Sequence, residues 1–273
     1  MWAYLYRSRL IAISLLTMGG ILLSAVPAAA APQVLTLTPT SLDRVIQPGT
    51  TYNGSFEVLN QGQGGYTFHV YAAPYSVKNE DYTPDFTTPL PGAPNVASWF
   101  KFSTANLHVE PGQSSTVNYS ITMPANTPPG GYYAAAFAET KLPPKANSIV
   151  LNERVGEIFY LQAAGPVTQK AALLSWQSGF FQKPPLTSTL RLKNAGSVHY
   201  RAAIDVQVQD IFGHNKYKLQ TVKEVLPQTI RKVSVSWQKT PSIGLFKVKG
   251  SVSLPNQKKT LPTRWVLVMS QPI

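Results

Sequence analysis

The sequence predicts an all-β protein in which two tandem immunoglobulin-like β-sandwiches follow an N-terminal signal or anchor helix. Three observations lead to this prediction: apolar and polar residues alternate in short runs, Pro and Gly turns separate the runs, and the pattern occurs twice along the 273 residues. With 44% hydrophobic residues the chain is too apolar to be disordered. It has no cysteine, which excludes a disulfide framework and a cysteine-based metal site.

Residues 1–30 predict a secretory signal peptide. Arg7 and Arg9 precede the apolar stretch LIAISLLTMGGILLSAV, and small residues follow it, as in a signal peptide that is cleaved before Ala31. An uncleaved anchor is the alternative, because a stretch of about 17 apolar residues approaches the length that spans a bilayer. Both alternatives predict a secreted chain or one at the extracellular face of the cell envelope.

Residues 31–164 predict the first sandwich. Ser115–Met123 alternates, with Val117, Tyr119 and Ile121 on one face, and turns rich in Pro and Gly bound this strand on both sides. The following run, GYYAAAFAE, predicts another strand. Its alanines indicate a place where a neighbouring sheet or loop approaches closely.

Residues 165–273 predict a second sandwich with the same order of strands. Pro227 and the strand after it align with Pro111 and its strand, and TLRLKNAG matches SFEVLNQG, so that Asn194 aligns with Asn60. The matched positions also include Gly131 and Gly244. Two matching pairs of strands in the same order predict a duplicated module with a core in each half.

Over about Val34–Glu139 the chain has a Pro-Gly turn, an alternating strand that ends in Asn-x-Gly, a region with Tyr and Trp, and the runs STVNYSITMP and PPGGYYAAAF. In this it resembles the N-terminal peptidoglycan-binding domain of the WxL-interacting cell-surface proteins of Gram-positive bacteria. The resemblance implies a first domain on the cell wall and a second that contacts other surface proteins. The membrane helix that usually follows in that family is not found here, which leaves anchoring to the N-terminal segment.

Charge is divided unequally between the two halves. Residues 31–164 carry 6 Lys and Arg against 9 Asp and Glu, whereas residues 165–273 carry 16 against 3. Alternation along two strands places basic side chains on one sheet face in each strand, at Arg191, Lys193, Lys247 and Lys249. These four are candidate polyanion contacts. The alternative is a solvated basic face that aids solubility.

The segment Lys78–Trp99 is a long connection for a small sandwich, and such connections are often functional. Tyr82, Phe86 and Trp99 are candidate contacts with the cell wall or a partner, because aromatic faces stack on sugar rings and anchor interfaces. Trp99 is alternatively a core residue at the start of the next strand. The acidic residues of the segment, Glu80, Asp81 and Asp85, lack the spacing of a calcium loop and predict a solvated loop.

The sequence nominates no catalytic, cofactor or metal site. It contains no hydrolase, zinc-protease, phosphate-loop or dinucleotide motif. Its four histidines have no metal-ligand spacing to one another; they are His69, His108, His199 and His214. We therefore expect no enzyme, no cofactor and no metal.

These observations predict a non-enzymatic cell-surface protein that binds peptidoglycan, an anionic wall polymer or another surface protein. Nucleic acid is not expected as a partner, and a membrane is expected only through the N-terminal segment if that segment is uncleaved. The alternative is a periplasmic assembly chaperone of the pilus type, which also has two immunoglobulin-like domains and lends a strand to its subunits. Such a chaperone requires an Arg/Lys pair in the cleft between its domains, and the sequence does not identify one.

Overall fold

The computed structural model describes residues 35–140 and 153–270, and their regular structure is almost entirely β-strand. The described residues include one short 3-10 helix, Val96–Trp99. No helix within these two ranges has the length and apolar character needed to span a bilayer. The predicted signal or anchor helix lies outside the described residues.

Eleven strands form the first sandwich. They are β1 (Leu35–Thr38), β2 (Ser41–Ile46), β3 (Thr51–Asn60), β4 (Tyr66–Pro74), β5 (Ser76–Val77), β6 (Pro84–Asp85), β7 (Phe100–Phe102), β8 (Asn106–Val109), β9 (Ser114–Thr122), β10 (Gly130–Thr140) and β11 (Arg154–Ala163). One sheet has the order β1-β3-β9-β7 and the other the order β2-β11-β10-β4-β8. Strands β5 and β6 pair separately.

Eight strands form the second sandwich. They are β12 (Ala171–Gln177), β13 (Phe181–Gln182), β14 (Leu186–Asn194), β15 (Tyr200–Gln209), β16 (Asn215–Val225), β17 (Ile230–Trp237), β18 (Ile243–Leu254) and β19 (Gln257–Met269). One sheet has the order β12-β14-β17 and the other the order β13-β19-β18-β15-β16. The prediction of an all-β chain with two tandem immunoglobulin-like sandwiches is confirmed.

Alternation decides which side chains enter the cores. Val117, Tyr119 and Ile121 of β9 are buried as predicted, together with large side chains of the facing sheet such as Phe68 and Phe159. In the second sandwich the matching strand β17 buries its own alternate residues. Burial of these apolar side chains is the main force that holds each pair of sheets together.

Strand β10 is covered on both faces, which explains its alanines. Ala134, Ala136 and Ala138 face the core of the first sandwich. On the other face Ala135 and Phe137 pack with Phe86, whose segment crosses the outer surface of the sheet. Small side chains allow this close approach, as the sequence predicted.

The described residues fall within a single compact unit that begins at Gln33. The last strand of the first sandwich ends at Ala163 and the first strand of the second begins at Ala171, so the predicted boundary after Ala164 lies between them. Side chains from both sandwiches meet within this unit.

Candidate functional site

Residues Glu80–Tyr82 reach from the first sandwich to the second, and we call them the clasp. The Arg191 side chain donates two hydrogen bonds to the Glu80 carboxylate, at 2.7 and 2.5 Å. Asp81 pairs with Lys232 at 2.7 Å, and the Lys232 N–H donates to the Glu80 carbonyl at 2.6 Å. The Arg191 guanidinium holds the pKa of Glu80 below its usual range. Two of the three acidic residues that were predicted to lie in a solvated loop, Glu80 and Asp81, therefore form ionic contacts between the two sandwiches.

Tyr82 is the buried anchor of the clasp. It is only 7% exposed, and its hydroxyl accepts the Leu226 N–H at 2.8 Å and lies 2.5 Å from the Thr229 hydroxyl. The Arg231 guanidinium lies 4.1 Å from the centre of its ring. Its φ of 61° is left-handed, a conformation that costs a tyrosine energy unless its contacts impose it.

A second contact joins the sandwiches beside the clasp. His199 donates its backbone N–H to the Tyr133 hydroxyl at 2.8 Å, and its Nε2 lies 3.1 Å from the Asp43 carboxylate. The buried cluster of the second sandwich continues into this contact through four tyrosines of the first: Tyr75, Tyr82, Tyr133 and Tyr160. The contact between the two sandwiches therefore combines apolar, polar and ionic contacts, while a separate buried cluster fills the first sandwich.

Of the aromatic residues predicted to contact a wall or partner, none offers an open ring. Tyr82 lies in the clasp. Trp99 is 7% exposed and packs on Tyr132 with ring centres 5.2 Å apart, which is its alternative role as a core residue. Phe86 is half-buried between Tyr75 and Phe137, with ring centres 5.7 and 4.8 Å away.

The four basic candidates do not form one surface. Arg191 and Lys193 lie on β14 in the three-stranded sheet, whereas Lys247 and Lys249 lie on β18 in the five-stranded sheet. The two sheets bury their facing sides, so their outward faces point in opposite directions. Arg191 is already bound to Glu80, and Lys247 lies 4.9 Å from the centre of the Trp265 ring.

One stretch of strand β11 has an open edge. On one side β11 pairs with β10 along its whole length, but on the other side parallel β2 begins only at Ser41, opposite Ile158. The backbone groups of alternate residues point to opposite sides of a strand, and Ile158 already bonds towards β2. The N–H and C=O groups of Arg154 and Gly156 therefore point to the open side, where no backbone partner lies among the described residues. We call Arg154–Glu157 the open edge.

An aromatic cluster covers the outer face of the open edge. The Arg154 guanidinium lies 4.4 Å from the centre of the Phe137 ring and 5.4 Å from that of Phe86. It also donates to the Tyr71 hydroxyl at 3.3 Å, which in turn donates to Glu139 at 2.6 Å. Gly156 leaves room for the Phe137 ring, because a Cβ there would lie 2.6 Å from a ring carbon.

Glu157 is a carboxylate buried on the inner face of the open edge. It shares that face with Phe159, has no exposed surface, and neither of its oxygens has a hydrogen-bond partner among the described residues. Loss of hydration disfavours the charged form, so burial raises the pKa of Glu157 to about 8. Glu157 is not among the candidate residues predicted from the sequence.

The cleft between the sandwiches carries no set of catalytic groups. A cleft of about 900 Å³ lies between the sandwiches and is lined mainly by proline, glycine and threonine residues. Asp85 is its one lining carboxylate among the described residues, and the lining residues include no histidine or lysine. The described residues also contain no group of three His, Asp or Glu side chains that could hold a metal ion.

Comparisons with known proteins find no matching protein family and no matching curated protein. Among solved structures, a chaperone–tip adhesion subunit complex of the archaic Csu pili of Acinetobacter baumannii matches at 13% identity and a TM-score of 0.44, over 86% of this chain and 99% of that one. The E. coli chaperone DraB matches at 12% identity and 0.41, over 86% and 98%. The class 5 fimbriae chaperone CfaA matches at 13% and 0.41, over 88% and 100%. At these values none of the matches identifies the partner of this chain.

The prediction of a wall-binding surface protein is wrong, and with it peptidoglycan and an anionic envelope polymer as partners. Several of the similar solved structures are chaperones of fimbriae or pili, and some of these are complexes with a pilin or adhesin subunit. The structure adds a physical reason, because the buried rings of Tyr82 and Trp99 have no face free to stack on a sugar. The resemblance to WxL-interacting proteins stays a prediction.

Proposed function

We propose that the chain is a non-enzymatic assembly chaperone of the bacterial periplasm, which binds subunits of a surface fibre by pairing a strand with them. The observation that carries this proposal is the open edge of β11. A strand that pairs there would meet the N–H and C=O groups of Arg154 and Gly156. Main-chain hydrogen bonds of this kind provide affinity, while side chains on alternate positions provide specificity.

The open edge differs from other exposed strands of the molecule in what surrounds it. β16 is a long edge strand, but Lys216, Lys218 and Lys223 lie along it. An incoming strand would have to desolvate these charges, which discourages pairing. At the open edge Gly156 has no side chain and Arg154 is occupied by the aromatic cluster, so a second backbone can approach.

The fixed arrangement of the two sandwiches supports the same function. A partner that pairs with Arg154 and Gly156 would lie on the same side of β11 as Asp43, which is opposite Tyr160 and contacts His199. At this contact β2 provides the Asp43 carboxylate and the second sandwich provides His199. An Arg/Lys pair, which a pilus-type chaperone requires between its domains, does not form this contact. We therefore assign the main share of partner binding to the backbone of the open edge rather than to a cationic anchor.

A substitution that removes one N–H from the open side tests this proposal. In Arg154→Pro the lost N–H points away from β10, and proline is tolerated at strand edges. Arg154→Ala is the matched control, since it removes the same side chain and keeps the N–H. We expect the tagged wild-type chain and Arg154→Ala to recover a fibre subunit from the periplasm of the host, and Arg154→Pro to recover at least tenfold less.

The outcome that contradicts the proposal is equal recovery by all three chains, or loss in both variants. Urea denaturation of each variant shows whether Arg154→Pro still folds. If it does not, an Arg154 residue methylated at the backbone nitrogen, introduced by chemical ligation, removes the same hydrogen bond without the proline ring.

A further inference from the structure

Large apolar side chains are exposed at one end of the second sandwich, and we call this group the distal tip. Its members and their exposed fractions are Phe180 (50%), Phe181 (71%), Ile211 (49%), Phe212 (79%) and Ile243 (68%). Trp265, which is 43% exposed, lies next to them on the outer face of the five-stranded sheet. A soluble protein rarely leaves several such side chains together in water unless they bind something.

Strand register places these residues, from three parts of the chain, at the same end of the five-stranded sheet. Phe181 pairs with Leu267, and Ile243 pairs with Met269 at the end of the same strand. The turn that joins β15 to β16 contains Ile211 and Phe212 and lies at this end too, because Gln209 pairs with Lys247 near the start of β18.

The distal tip lies far from the first sandwich. Strand β15 begins at Tyr200, beside His199 at the contact between the sandwiches, and ends at Gln209 next to the tip. Ten residues of extended strand cover about 30 Å. The exposed side chains are therefore not an extension of the contact between the sandwiches or of the open edge.

The turn of the β15–β16 hairpin is built to present its apolar residues. The Asp210 carboxylate accepts the N–H groups of Phe212 and His214, at 2.9 and 3.0 Å, and closes the turn beneath them. The Lys216 ammonium lies 3.1 Å from the same carboxylate and balances the negative charge of Asp210. Phe212 is left at the apex with most of its ring in water.

Positive charge surrounds the distal tip. Lys183 follows Phe181 by two residues and is exposed, and Lys239 is exposed in the turn that leads to Ile243. Lys247 lies over the Trp265 ring at 4.9 Å. An apolar and aromatic centre with basic side chains around it is the composition of surfaces that lie in the interface of an anionic bilayer.

We infer that the distal tip is a membrane-contact site, which inserts its apolar side chains among the head groups of a bilayer that contains anionic lipid. Charge complementarity favours this partner, since the lysines would meet the phosphates while the rings enter the interface. The predicted signal or anchor segment would bring the chain to such a surface. This inference does not depend on the proposed chaperone function.

Co-sedimentation with lipid vesicles tests the inference. The protein is residues 33–273, which form a compact unit and exclude the apolar N-terminal segment. We expect it to bind vesicles of phosphatidylethanolamine and phosphatidylglycerol, to bind pure phosphatidylcholine at least tenfold more weakly, and to dissociate as salt is added. Phe181→Ser with Phe212→Ser should weaken binding at least tenfold, and Lys183→Glu with Lys239→Glu should remove most of the salt dependence.

Val222→Ser is the matched control, because Val222 is 43% exposed on β16 but lies away from the tip. Vesicle binding by this variant should equal that of the wild type.

A tryptophan at the apex of the tip tests whether this residue enters the bilayer. Lipids brominated near the head group should quench the fluorescence of Phe212→Trp more than they quench that of the wild type. Equal binding by Phe181→Ser with Phe212→Ser would overturn the inference. The inference would also be overturned if the wild type formed a dimer and bound no vesicles, and if these two substitutions converted that dimer to a monomer. Arg154→Pro should bind vesicles as the wild type does, which separates this test from that of the proposed function.

Discussion

In each sandwich a buried asparagine at the end of a strand ties a turn to a neighbouring strand. The Asn60 side chain donates to the carbonyls of Gly64 and Val109, both at 2.8 Å, and accepts the Gly62 N–H at 2.9 Å. Asparagine can do this because its amide offers both donors and acceptors.

The equivalent residue of the second sandwich repeats these hydrogen bonds. Asn194 donates to the carbonyls of Val198 and Val225, at 2.9 and 2.8 Å, and accepts the Gly196 N–H at 2.8 Å. Both asparagines have no exposed surface. The two halves of the sequence therefore share the hydrogen bonds of a buried asparagine as well as the spacing of their apolar residues.

A second repeated feature is a glycine that makes room for an aromatic ring two residues later. A Cβ at Gly131 would overlap the Tyr133 hydroxyl, and a Cβ at Gly244 would lie 2.6 Å from the Phe246 ring. The two sandwiches differ elsewhere. The first has the open edge with a buried carboxylate, and the second has lysines along its long edge and an apolar distal tip. Shared residues maintain the fold, whereas the residues that differ mark the candidate surfaces.

Removing either anchor should have the largest effect on stability. Asn60→Ala and Asn194→Ala each remove three hydrogen bonds to backbone groups that are buried or half-buried, which should cost about 4 kcal/mol in each case. Urea denaturation measures this cost, and Asn118→Ala, at an exposed position of β9, should cost little. A large loss in only one of the two variants would break the equivalence of the sandwiches.

The buried carboxylate should make the stability of the first sandwich depend on pH. The pKa of Glu157 is 4.5 in the unfolded chain and about 8 in the folded chain. As pH rises, the unfolded chain therefore loses this proton at a lower pH than the folded chain does. The free energy of unfolding should therefore fall as pH rises from 4.5 to 8, by about 3 kcal/mol between pH 5 and pH 7.

In Glu157→Gln this dependence should disappear, so that the variant is more stable than the wild type at pH 7 and nearly equal to it at pH 4. Thermal denaturation across this range provides the measurement. Glu57→Gln, at an exposed position, is the control and should keep the wild-type slope. If the stability of Glu157→Gln depends on pH as that of the wild type does, another group is responsible. A buried, titrating carboxylate would then not distinguish the first sandwich from the second.

The clasp should have a smaller effect that is confined to the contact between the sandwiches. Tyr82→Phe removes the acceptor of the Leu226 N–H and should cost about 1–2 kcal/mol. Tyr132→Phe removes a hydrogen bond to the Pro128 carbonyl within the first sandwich and serves as the control. Hydrogen exchange of the Leu226 amide should quicken only in Tyr82→Phe. Similar exchange in both variants would mean that the clasp does not join the sandwiches.

The sequence was sufficient for the fold because alternation and turn residues act locally. The strand that contains Val117 and Tyr119 could be assigned from its period of two, and the match of Asn60 with Asn194 revealed the duplication. The aromatic residue of the clasp was misjudged because exposure depends on residues far along the chain: the Tyr82 hydroxyl contacts Leu226 and Thr229 of the second sandwich.

The candidate site could not be found from the sequence for a related reason. An open edge is defined by where a neighbouring strand begins, and the start of β2 opposite Ile158 has no signal within β11 itself. Glu157 did carry a signal, because it occupies an inward position of an alternating run that continues with Phe159 and Leu161. A charged residue in such a position is worth examining in any strand that is expected to be buried.

Hydrogen exchange of the amides in β11 tests the central claim most directly. In the unbound chain the Val155 and Glu157 amides, which point to β10, should exchange slowly, while those of Arg154 and Gly156 should exchange at least a hundredfold faster. A recovered fibre subunit should slow the exchange of Arg154 and Gly156 to the rate of their neighbours. Equal protection of all four amides in the unbound chain, or fast exchange of Arg154 and Gly156 in the complex, would contradict the claim that this edge is open and receives the partner.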